Sequence, residues 1–273
     1  MSEQRYLRFR TEAGDARWGV RRGDRIHELS GAPWLLDTVA TGATRSGDDS
    51  LPLLAPAAPT KILALAYNYK DLFADPAART SAREAHYTDP GFEPLVFLKG
   101  PNCLADPGQP IAAPAEVAEM WVEVEVAAVI GRRARAVDAA GARDAIFGLT
   151  IGNDITALNV LGRDWHLARS KSLDGFCPLG PELVRGFDDG DRRLGTRINE
   201  RTTQDGTTAT RVLDTYASIA LASRIMTLEP GDVVLTGTPA GARQSLVVPG
   251  DVVTLHIDGL GVLSNPIVRS RHE

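Results

Sequence analysis

Short apolar runs separated by glycine and proline dominate this chain of 273 residues. Such runs are typical of strands that are buried on both faces. They predict strands at Lys61–Ala66, Leu95–Leu98, Val122–Ile130, Leu149–Ile151, Val233–Thr236 and Val252–Ile257. No regular alternation of strands and helices accompanies them, which disfavours a doubly wound parallel sheet. The pattern predicts a β-rich α+β fold with few helices.

Two segments have the apolar spacing of a helix, Asn159–Ala168 and Arg211–Met226. The second is the clearer, because its apolar residues recur every three or four positions. Residues 70–92 are polar and show only a weak helical pattern at Ala77–Ala85. We expect this polar segment to be mobile.

The first part of the chain predicts short strands at Arg5–Arg10, Trp18–Arg21 and Ile26–Leu29, with turn residues between them. The proline-containing stretch Gly47–Ala58 predicts a loose linker. Residues 1–58 are therefore expected to form a small N-terminal domain with its linker, and residues 59–273 the main domain.

Charge and composition exclude several classes of protein. The formal net charge is −5 and there is no basic stripe, so we expect no nucleic-acid partner. No apolar run approaches the ~20 residues that span a bilayer, and the N-terminus lacks the apolar core of a signal peptide. Cys103 and Cys177 lie far apart, which disfavours a disulfide scaffold or zinc ribbon and fits the reducing cytoplasm.

Two glutamates, Glu123 and Glu125, open the longest apolar run. On a strand they share one face, with Cα atoms about 6–7 Å apart. Neighbouring carboxylates repel each other unless water or a cation screens them. A half-exposed strand with its acids in water is one interpretation. The apolar continuation Val126–Ile130 favours the other, a buried strand whose paired acids bind a metal ion.

A third acid, Asp154, follows the apolar run Leu149–Ile151. One interpretation makes Asn153 and Asp154 the N-cap of a helix that begins near Thr156. The other makes Asp154 a third metal ligand beside the two glutamates. Ligands that are all oxygen favour Mg²⁺, Mn²⁺ or Ca²⁺ over zinc, which prefers histidine and cysteine.

Three further segments hold polar groups that suit an anionic substrate. Lys171, in the Gly- and Pro-rich segment Ser170–Pro181, is either an ordinary surface lysine or a partner for an anion or enolate. Thr238 lies in a Thr-Gly-Thr-Pro loop whose N–H groups suit a carboxylate, although an ordinary strand-ending turn explains it equally well. Residues 199–206 predict a polar hairpin, for which a surface turn is a sufficient explanation.

Taken together and in this order, these segments resemble the fumarylacetoacetate hydrolase family. The resemblance is to the bacterial type, in which many members have a small N-terminal domain. The resemblance covers nearly the whole chain and implies a rolled mixed β-sheet with few helices, preceded by a small α/β domain, often in a homodimer. The matching motifs are an E-x-E strand, an N-D strand end, K-S-x-D-x-x-x-P-x-G-P, N-x-x-x-x-Q and T-G-T-P.

The resemblance also assigns roles to residues and implies a cofactor. It implies C–C bond chemistry on 2-oxo or 1,3-dioxo acids, assisted by Mg²⁺ or Mn²⁺, with Ca²⁺ an alternative in crystals. The residues that match the family's motifs are the metal ligands Glu123, Glu125 and Asp154, the catalytic Lys171, and the substrate-binding residues Tyr69, Asn199, Gln204 and Thr238.

The chain departs from the family in the segment G-x-N-Y-x-x-H-x-x-E, which corresponds to residues 66–75. The usual catalytic histidine is Leu72 and the usual glutamate is Asp75. Leucine cannot activate water, so the histidine of the hydrolytic dyad is expected to be missing. Asp75 and His86 are the candidates to supply catalytic groups, although a solvent-exposed loop histidine is the plainer interpretation of His86.

Two more leucines, Leu158 and Leu161, stand where the family has a substrate-binding arginine and the glutamine after it. With Leu72, they favour a bulkier or less charged substrate than a small dicarboxylate.

We therefore expect a divalent-metal-dependent enzyme that acts on a small carbonyl-acid substrate by C–C cleavage, decarboxylation or related enolate chemistry. The sequence leaves hydrolase, decarboxylase and other lyase open. The alternative is a catalytically silent family member that binds a metal, a ligand or a partner. Loss of the histidine favours that alternative, and three mutually repelling carboxylates beside a lysine count against it.

Overall fold

A computed structural model describes residues 2–47, 51–73, 91–158, 164 and 166–270. The N-terminal part contains five strands: β1 (Gln4–Arg10), β2 (Ala16–Arg22), β3 (Arg25–Leu29), β4 (Ala40–Ser46) and β5 (Leu53–Leu54). The first three are those that the sequence predicts. The described residues before position 60 form strands and turns without a helix. This part of the small N-terminal domain is therefore all-β, where an α/β domain was expected.

The rest of the chain contributes fourteen strands and three α-helices among the described residues. The strands are β6 (Ile62–Ala66), β7 (Leu95–Lys99), β8 (Leu104–Ala105), β9 (Ile111–Ala113), β10 (Met120–Trp121), β11 (Val124–Ile130), β12 (Ile146–Asn153), β13 (Thr156–Ala157), β14 (Cys177–Arg185), β15 (Arg193–Ile198), β16 (Arg201–Thr207), β17 (Val233–Leu235), β18 (Val252–Ile257) and β19 (Gly261–Arg269). The helices are α1 (Ala139–Ala145), α2 (Ala168–Lys171) and α3 (Thr215–Ile225).

The strands form two mixed sheets and one short pair. The large sheet runs β4-β3-β2-β1-β14-β12-β11-β17-β6-β7, with β5 on β1 and β8 on β14. The second runs β16-β15-β18-β19-β9, and β10 pairs with β13. The β17–β6, β14–β8 and β19–β9 pairs are parallel and the others antiparallel. The predicted β-rich fold with few helices is confirmed.

Strand β11 lies near the middle of the large sheet and is buried along its whole length. Its side chains alternate between two hydrophobic clusters, as the two-residue period of a strand requires. Val124, Val126, Ala128 and Ile130 join the cluster that includes the buried residues of β18, whereas Ala127 and Val129 join the one that includes Ile62 and Leu235. Glu125 lies two residues before Ala127 and so points to the same face of the sheet as Ala127 and Val129. On that face a carboxylate takes the place of an apolar side chain.

The helices differ from the sequence prediction in three places. Helix α3 begins at Thr215 rather than at Arg211, because the Asp214 side chain accepts the Ala217 N–H and caps it there. Helix α1 was not predicted, and Asp138 caps it in the same way. No helix begins within residues 154–158, where the chain instead forms β13. Most of the predicted helix Asn159–Ala168 and all of Ala77–Ala85 lie outside the described residues.

The stretch that we expected to be a loose linker packs closely where the structure describes it. Strand β5 pairs with β1, and Ala55 and Ala57 are fully buried. Strand β1 also pairs with β14, so the N-terminal strands continue the large sheet of the main domain.

Among the described residues, none of the helices is long and apolar enough to cross a lipid bilayer.

Asp232 anchors the parallel pair β6–β17 at its starting end. Its buried carboxylate accepts the N–H groups of Thr60, Lys61 and Glu229, the Thr60 hydroxyl and the Lys61 ammonium. Burial alone would raise the pKa of Asp232, but the hydrogen bonds from Lys61, Glu229 and Thr60 hold it below its ordinary value.

We expect Asp232→Ala to lower the free energy of unfolding by about 3–5 kcal/mol, because it leaves an ammonium and several N–H groups without their partner. Denaturant unfolding measures this, with Asp258→Ala in an exposed turn as a control that should stay within about 0.5 kcal/mol. The contribution of Asp232 is fully present above its unfolded pKa of ~3.9 and is lost as the pH falls through the lower native pKa. A difference between wild type and variant that did not shrink in acid would contradict this account.

Candidate active site

The structure brings the three predicted acids together at one end of β11 and β12. Glu123 lies just before β11, Glu125 is its second residue, and Asp154 follows β12 directly. Antiparallel pairing places Val124 opposite Asn153, and the Asp154 N–H donates to the Glu123 carbonyl at 3.0 Å. One carboxylate oxygen from each acid lies within 4.8 Å of the others.

Neighbouring polar groups hold Glu123 in place. Its Oε1 accepts hydrogen bonds from the Trp121 indole at 2.7 Å and the Thr156 hydroxyl at 2.9 Å. Its backbone N–H donates to the Asn153 side chain at 3.1 Å. The N-cap interpretation of Asn153 is therefore wrong, because its side chain accepts the Glu123 N–H and residues 154–158 form no helix.

Glu125 is the more deeply buried of the two glutamates, with 1% of the residue exposed against 9% for Glu123. Its partner across the sheet is Gly152, where a side chain would collide with Leu235, because a Cβ there would lie 2.5 Å from Leu235 Cδ2. The Gly237 N–H donates to Glu125 Oε2 at 2.6 Å. Gly237 has φ of +92°, a conformation that glycine adopts without strain. Burial, followed by the charges of Asp154 and Glu123, raises the pKa of Glu125 well above its ordinary value.

Asp154 lies between two lysine ammonium groups. Lys171 Nζ is 2.5 Å from Asp154 Oδ2, and Lys99 Nζ is 2.6 Å from Asp154 Oδ1. Burial would raise the pKa of Asp154, but the two lysines hold it below its ordinary value. Asp154 is therefore ionised, and each of its oxygens has a cationic partner.

Lys99 also belongs to the site, although the sequence motifs did not predict it. It is 1% exposed and ends β7, and its ammonium also donates to the Ile155 carbonyl at 3.3 Å. The available signal was a lysine at the end of an apolar strand and directly before Gly100-Pro101. A lysine that cannot reach solvent from such a position needs an anionic partner.

Lys171 ends the short helix α2, and its ammonium contacts two of the acids. Besides Asp154, it lies 3.2 Å from Glu123 Oε2, and it stands over the Phe97 ring at 5.2 Å. Burial would lower the pKa of Lys171, but the charges of Asp154 and Glu123 raise it above its ordinary value. Lys171 is therefore a fixed positive charge rather than a surface lysine, and its burial rules out the plainer interpretation.

This set of side chains fits a divalent cation. Two lysines balance two of the three carboxylates, and the raised pKa of Glu125 favours a proton on the third. A divalent cation held by oxygens of Glu123, Glu125 and Asp154 would replace that proton and offset the remaining repulsion. Carboxylate oxygens are the ligands that Mg²⁺, Mn²⁺ and Ca²⁺ prefer.

Three of the predicted substrate-binding residues lie around this cluster. The Gln204 side chain accepts the Val124 N–H, between the two glutamates, at 3.2 Å and donates to the Thr238 hydroxyl at 2.9 Å. Thr238 follows Gly237 directly, and Gln204 fixes its position. Tyr69 is fully buried, its hydroxyl has no hydrogen-bond partner among the residues that the structure describes, and burial raises its pKa. The nearby positive charge of Arg211 lowers the pKa of Tyr69, whereas the negative charge of Glu125 raises it.

Asn199 lies apart from the cluster within the described chain. It occupies the exposed turn of the predicted hairpin β15–β16, where it binds the Asp251 carboxylate and the Val252 N–H. Leu72 is half-buried and packs against the main core, and Leu158 is 37% exposed. Asp75, His86 and Leu161 lie outside the described residues.

The fold and the site define a mixed-sheet protein with a buried carboxylate–lysine cluster that is suited to a divalent cation. The model of the fumarylacetoacetate hydrolase C-terminal domain matches residues 61–268, and that of an Rv2993c-like N-terminal domain matches residues 4–56. The chain belongs to the fumarylacetoacetate hydrolase family.

Relatives and solved structures agree with this assignment. The chain is 39% identical over 220 residues to protein Rv2993c of Mycobacterium tuberculosis, covering 80% of this chain and 78% of that one. It is 36% identical over 235 residues to a mitochondrial oxaloacetate tautomerase of Xenopus laevis, covering 80% and 69%.

Among solved structures, a 2-hydroxyhepta-2,4-diene-1,7-dioate isomerase from Mycobacterium marinum superposes with a TM-score of 0.84 at 32% identity, covering 98% of this chain and 99% of that one. A maleylpyruvate hydrolase from Sphingobium sp. SYK-6, in complex with manganese and pyruvate, gives 0.73 at 27% identity, covering 98% and 100%.

Proposed function

We propose that the protein is a divalent-cation-dependent enzyme that acts on a 2-oxo acid or 1,3-dicarbonyl substrate through an enolate-like transition state. The observation that carries the proposal is the convergence of three carboxylates and the Lys171 ammonium at one end of β11. The oxaloacetate tautomerase and the pyruvate-bound hydrolase support it, because both act on or bind 2-oxo acids.

The protein's own groups suit this chemistry. A cation bound by Glu123, Glu125 and Asp154 would supply Lewis acidity toward the oxygens of a carbonyl acid. Lys171 holds a permanent positive charge next to the same acids, where it stabilises negative charge that develops on a substrate oxygen. Its position is fixed by two carboxylates, so little reorganisation is needed during the reaction.

Leu72 decides between the reactions that this arrangement supports. Decarboxylation needs a stabilised enolate, and tautomerisation needs in addition a group that moves a proton between carbon and oxygen, whereas hydrolysis needs a base that activates water. Leu72 packs against the core and has no such group. We therefore favour decarboxylation or tautomerisation over hydrolysis.

A screen with three substrates tests the proposal. Oxaloacetate, acetylpyruvate and a bulkier aryl-substituted 2,4-dioxo acid are incubated with the protein and Mg²⁺ or Mn²⁺, and tautomerisation, CO₂ release and C–C cleavage are followed separately. We expect cation-dependent turnover of at least one substrate, with the bulkier acid preferred. Cation binding without turnover of any carbonyl acid would instead favour the alternative function, that of a catalytically silent family member. The observation that supports this alternative is Leu72 in place of the family's catalytic histidine.

We predict that Leu72→His creates or raises hydrolysis of acetylpyruvate by about 10²-fold or more, because general bases contribute roughly 10²–10⁴-fold. Leu72→Gln, polar but without a base of suitable pKa, is the matched control and should not raise it. Product analysis by chromatography separates hydrolysis from decarboxylation. Wild-type hydrolysis at rates typical of enzymes would mean that another group, such as His86, already serves as the base.

The homodimer that the resemblance implies stays a prediction, which size-exclusion chromatography with light scattering tests directly. Localisation in the cytoplasm also stays a prediction.

A further inference from the structure

A cavity of about 880 Å³ lies between the segment Pro33–Leu36 and the main domain. We call it the arginine groove. Residues Gly131–Arg133, which follow β11, and Ile146–Leu149, which begin β12, form its floor. The carboxylate cluster lies at the opposite ends of the same two strands, roughly 20 Å away at the rise of a seven-residue strand. The groove is therefore separate from the candidate active site.

The arginine groove concentrates positive charge in a chain whose formal net charge is −5. Four arginines line it, against two acids: Arg132, Arg133, Arg143 and Arg185, with Asp144 and Asp188. Only Arg133 of these four has a carboxylate partner among the residues that the structure describes, Glu229 at 3.3 Å. The lining of the groove thus has two more arginines than acids, and three of its arginines lack the carboxylate partner that Arg5, Arg21 and Arg45 have among the described residues.

Two of these arginines are held against aromatic rings. Arg143 Cζ stands 4.0 Å from the centroid of the Tyr216 ring, and Arg185 Cζ stands 5.2 Å from that of Phe147. A guanidinium over a ring uses its face for the contact and keeps its in-plane N–H donors for other partners. Such forks suit phosphate or carboxylate oxygens, and the ring contacts lower the entropy cost of binding.

The opposite lip of the groove is apolar and open to solvent. Trp34 packs edge-on against Phe147 at 5.9 Å, and Leu35 is 48% exposed. Leu36 is exposed as fully as in an extended chain. Adjacent exposed leucines beside a cationic wall suit a ligand that has both an apolar body and an anionic end.

We propose that the arginine groove binds a small polyanion with an aromatic or apolar body, of the size and charge of a nucleoside triphosphate. The cavity volume lies within the ~300–1,000 Å³ of ordinary small-molecule sites. The unpaired arginines would bind the phosphates, and the lip Trp34–Leu36 would contact the body. The proposal does not depend on the reaction at the carboxylates.

Isothermal titration with ATP, in about 50 mM salt and without a divalent cation, tests the proposal. We expect one saturable site per chain and an affinity that falls at least ~10-fold in Arg143→Gln/Arg185→Gln, about 1.4 kcal/mol. Arg22→Gln/Arg269→Gln, an equal charge change at exposed positions elsewhere, should change it less than ~2-fold. Leu36→Glu should weaken binding too, because it adds a negative charge at the lip without removing an arginine.

Inorganic pyrophosphate provides the second arm of the experiment. We expect it to bind at least ~10-fold more weakly than ATP, since it cannot contact the apolar lip. Affinity equal to that of ATP would overturn the role of the lip. Absence of saturable ATP binding up to millimolar concentration, or equal weakening in both arginine pairs, would overturn the site itself. Thermal unfolding confirms that each variant is folded before titration.

Discussion

Replacing Glu125 with glutamine is expected to abolish tight binding of Mg²⁺ or Mn²⁺ and to lower turnover by roughly 10³-fold, about 4 kcal/mol of transition-state stabilisation. Glutamine has nearly the same shape but lacks the charge that a cation needs. The Gly237 N–H still has an oxygen to donate to, so the loop beyond β17 stays in place. Isothermal titration with Mn²⁺ and the oxo-acid assay measure the two losses.

The same variant should unfold at a higher temperature than wild type when no metal is present. Burial and the charges of Asp154 and Glu123 raise the pKa of Glu125, so folding without a metal must either bury its charge or add a proton to it, and both lower the stability of the folded protein. A binding site that stores repulsion gains stability when one of its charges is removed. Asp154→Asn should also abolish binding but should lower stability, because it removes the charge that Lys99 and Lys171 both contact.

Glu182→Gln is the matched control for these two variants. Glu182 is a buried carboxylate as well, but its partners are Arg5 and Arg21 in the N-terminal strands. We expect it to leave Mn²⁺ affinity and turnover unchanged. If Glu125→Gln bound the cation as tightly as Glu182→Gln does, the assignment of Glu125 as a ligand would fail.

Lys171→Met is expected to lower turnover by roughly 10²–10³-fold, the usual effect of removing one group that stabilises developing charge. Metal binding should persist or tighten, because the variant removes a cation that lies 2.5 Å from Asp154 Oδ2. This opposite effect on binding and turnover separates a catalytic lysine from a structural one. Mn²⁺ titration and steady-state kinetics on the same preparation provide both values.

Lys70→Met serves as the control for Lys171, since Lys70 is an exposed lysine at the short helical turn after Tyr69. It should change neither quantity. Unchanged turnover in Lys171→Met would exclude a catalytic role for Lys171. Simultaneous loss of metal binding and turnover would show that the lysine only supports the fold of the carboxylate cluster.

Much of this site was predictable because it depends on strand geometry. The spacing of Glu123 and Glu125 fixes them near one another, and the apolar residues after them predict the burial that makes their repulsion costly. Those two facts suffice to expect a cation. Asp154 was harder to assign, because the same residues satisfy the pattern of a helix N-cap.

The parts that sequence did not predict depend on contacts between distant segments. Lys99 reaches Asp154 across 55 positions of the chain, which no local pattern encodes. The Asn153 side chain accepts the Glu123 N–H rather than capping a helix, and that choice follows from the pairing of β11 with β12. Asn199 has the right motif, yet the turn holds it against Asp251 on an exposed surface.

We expect Glu123, Glu125 and Asp154 to bind one divalent cation jointly. A crystal structure of the full chain grown with Mn²⁺, with anomalous data collected near the manganese edge, tests it most directly. We expect a single strong anomalous peak bonded to a carboxylate oxygen from each of these three residues. A peak bonded elsewhere, or no peak at the cluster in manganese-saturated crystals, would contradict it.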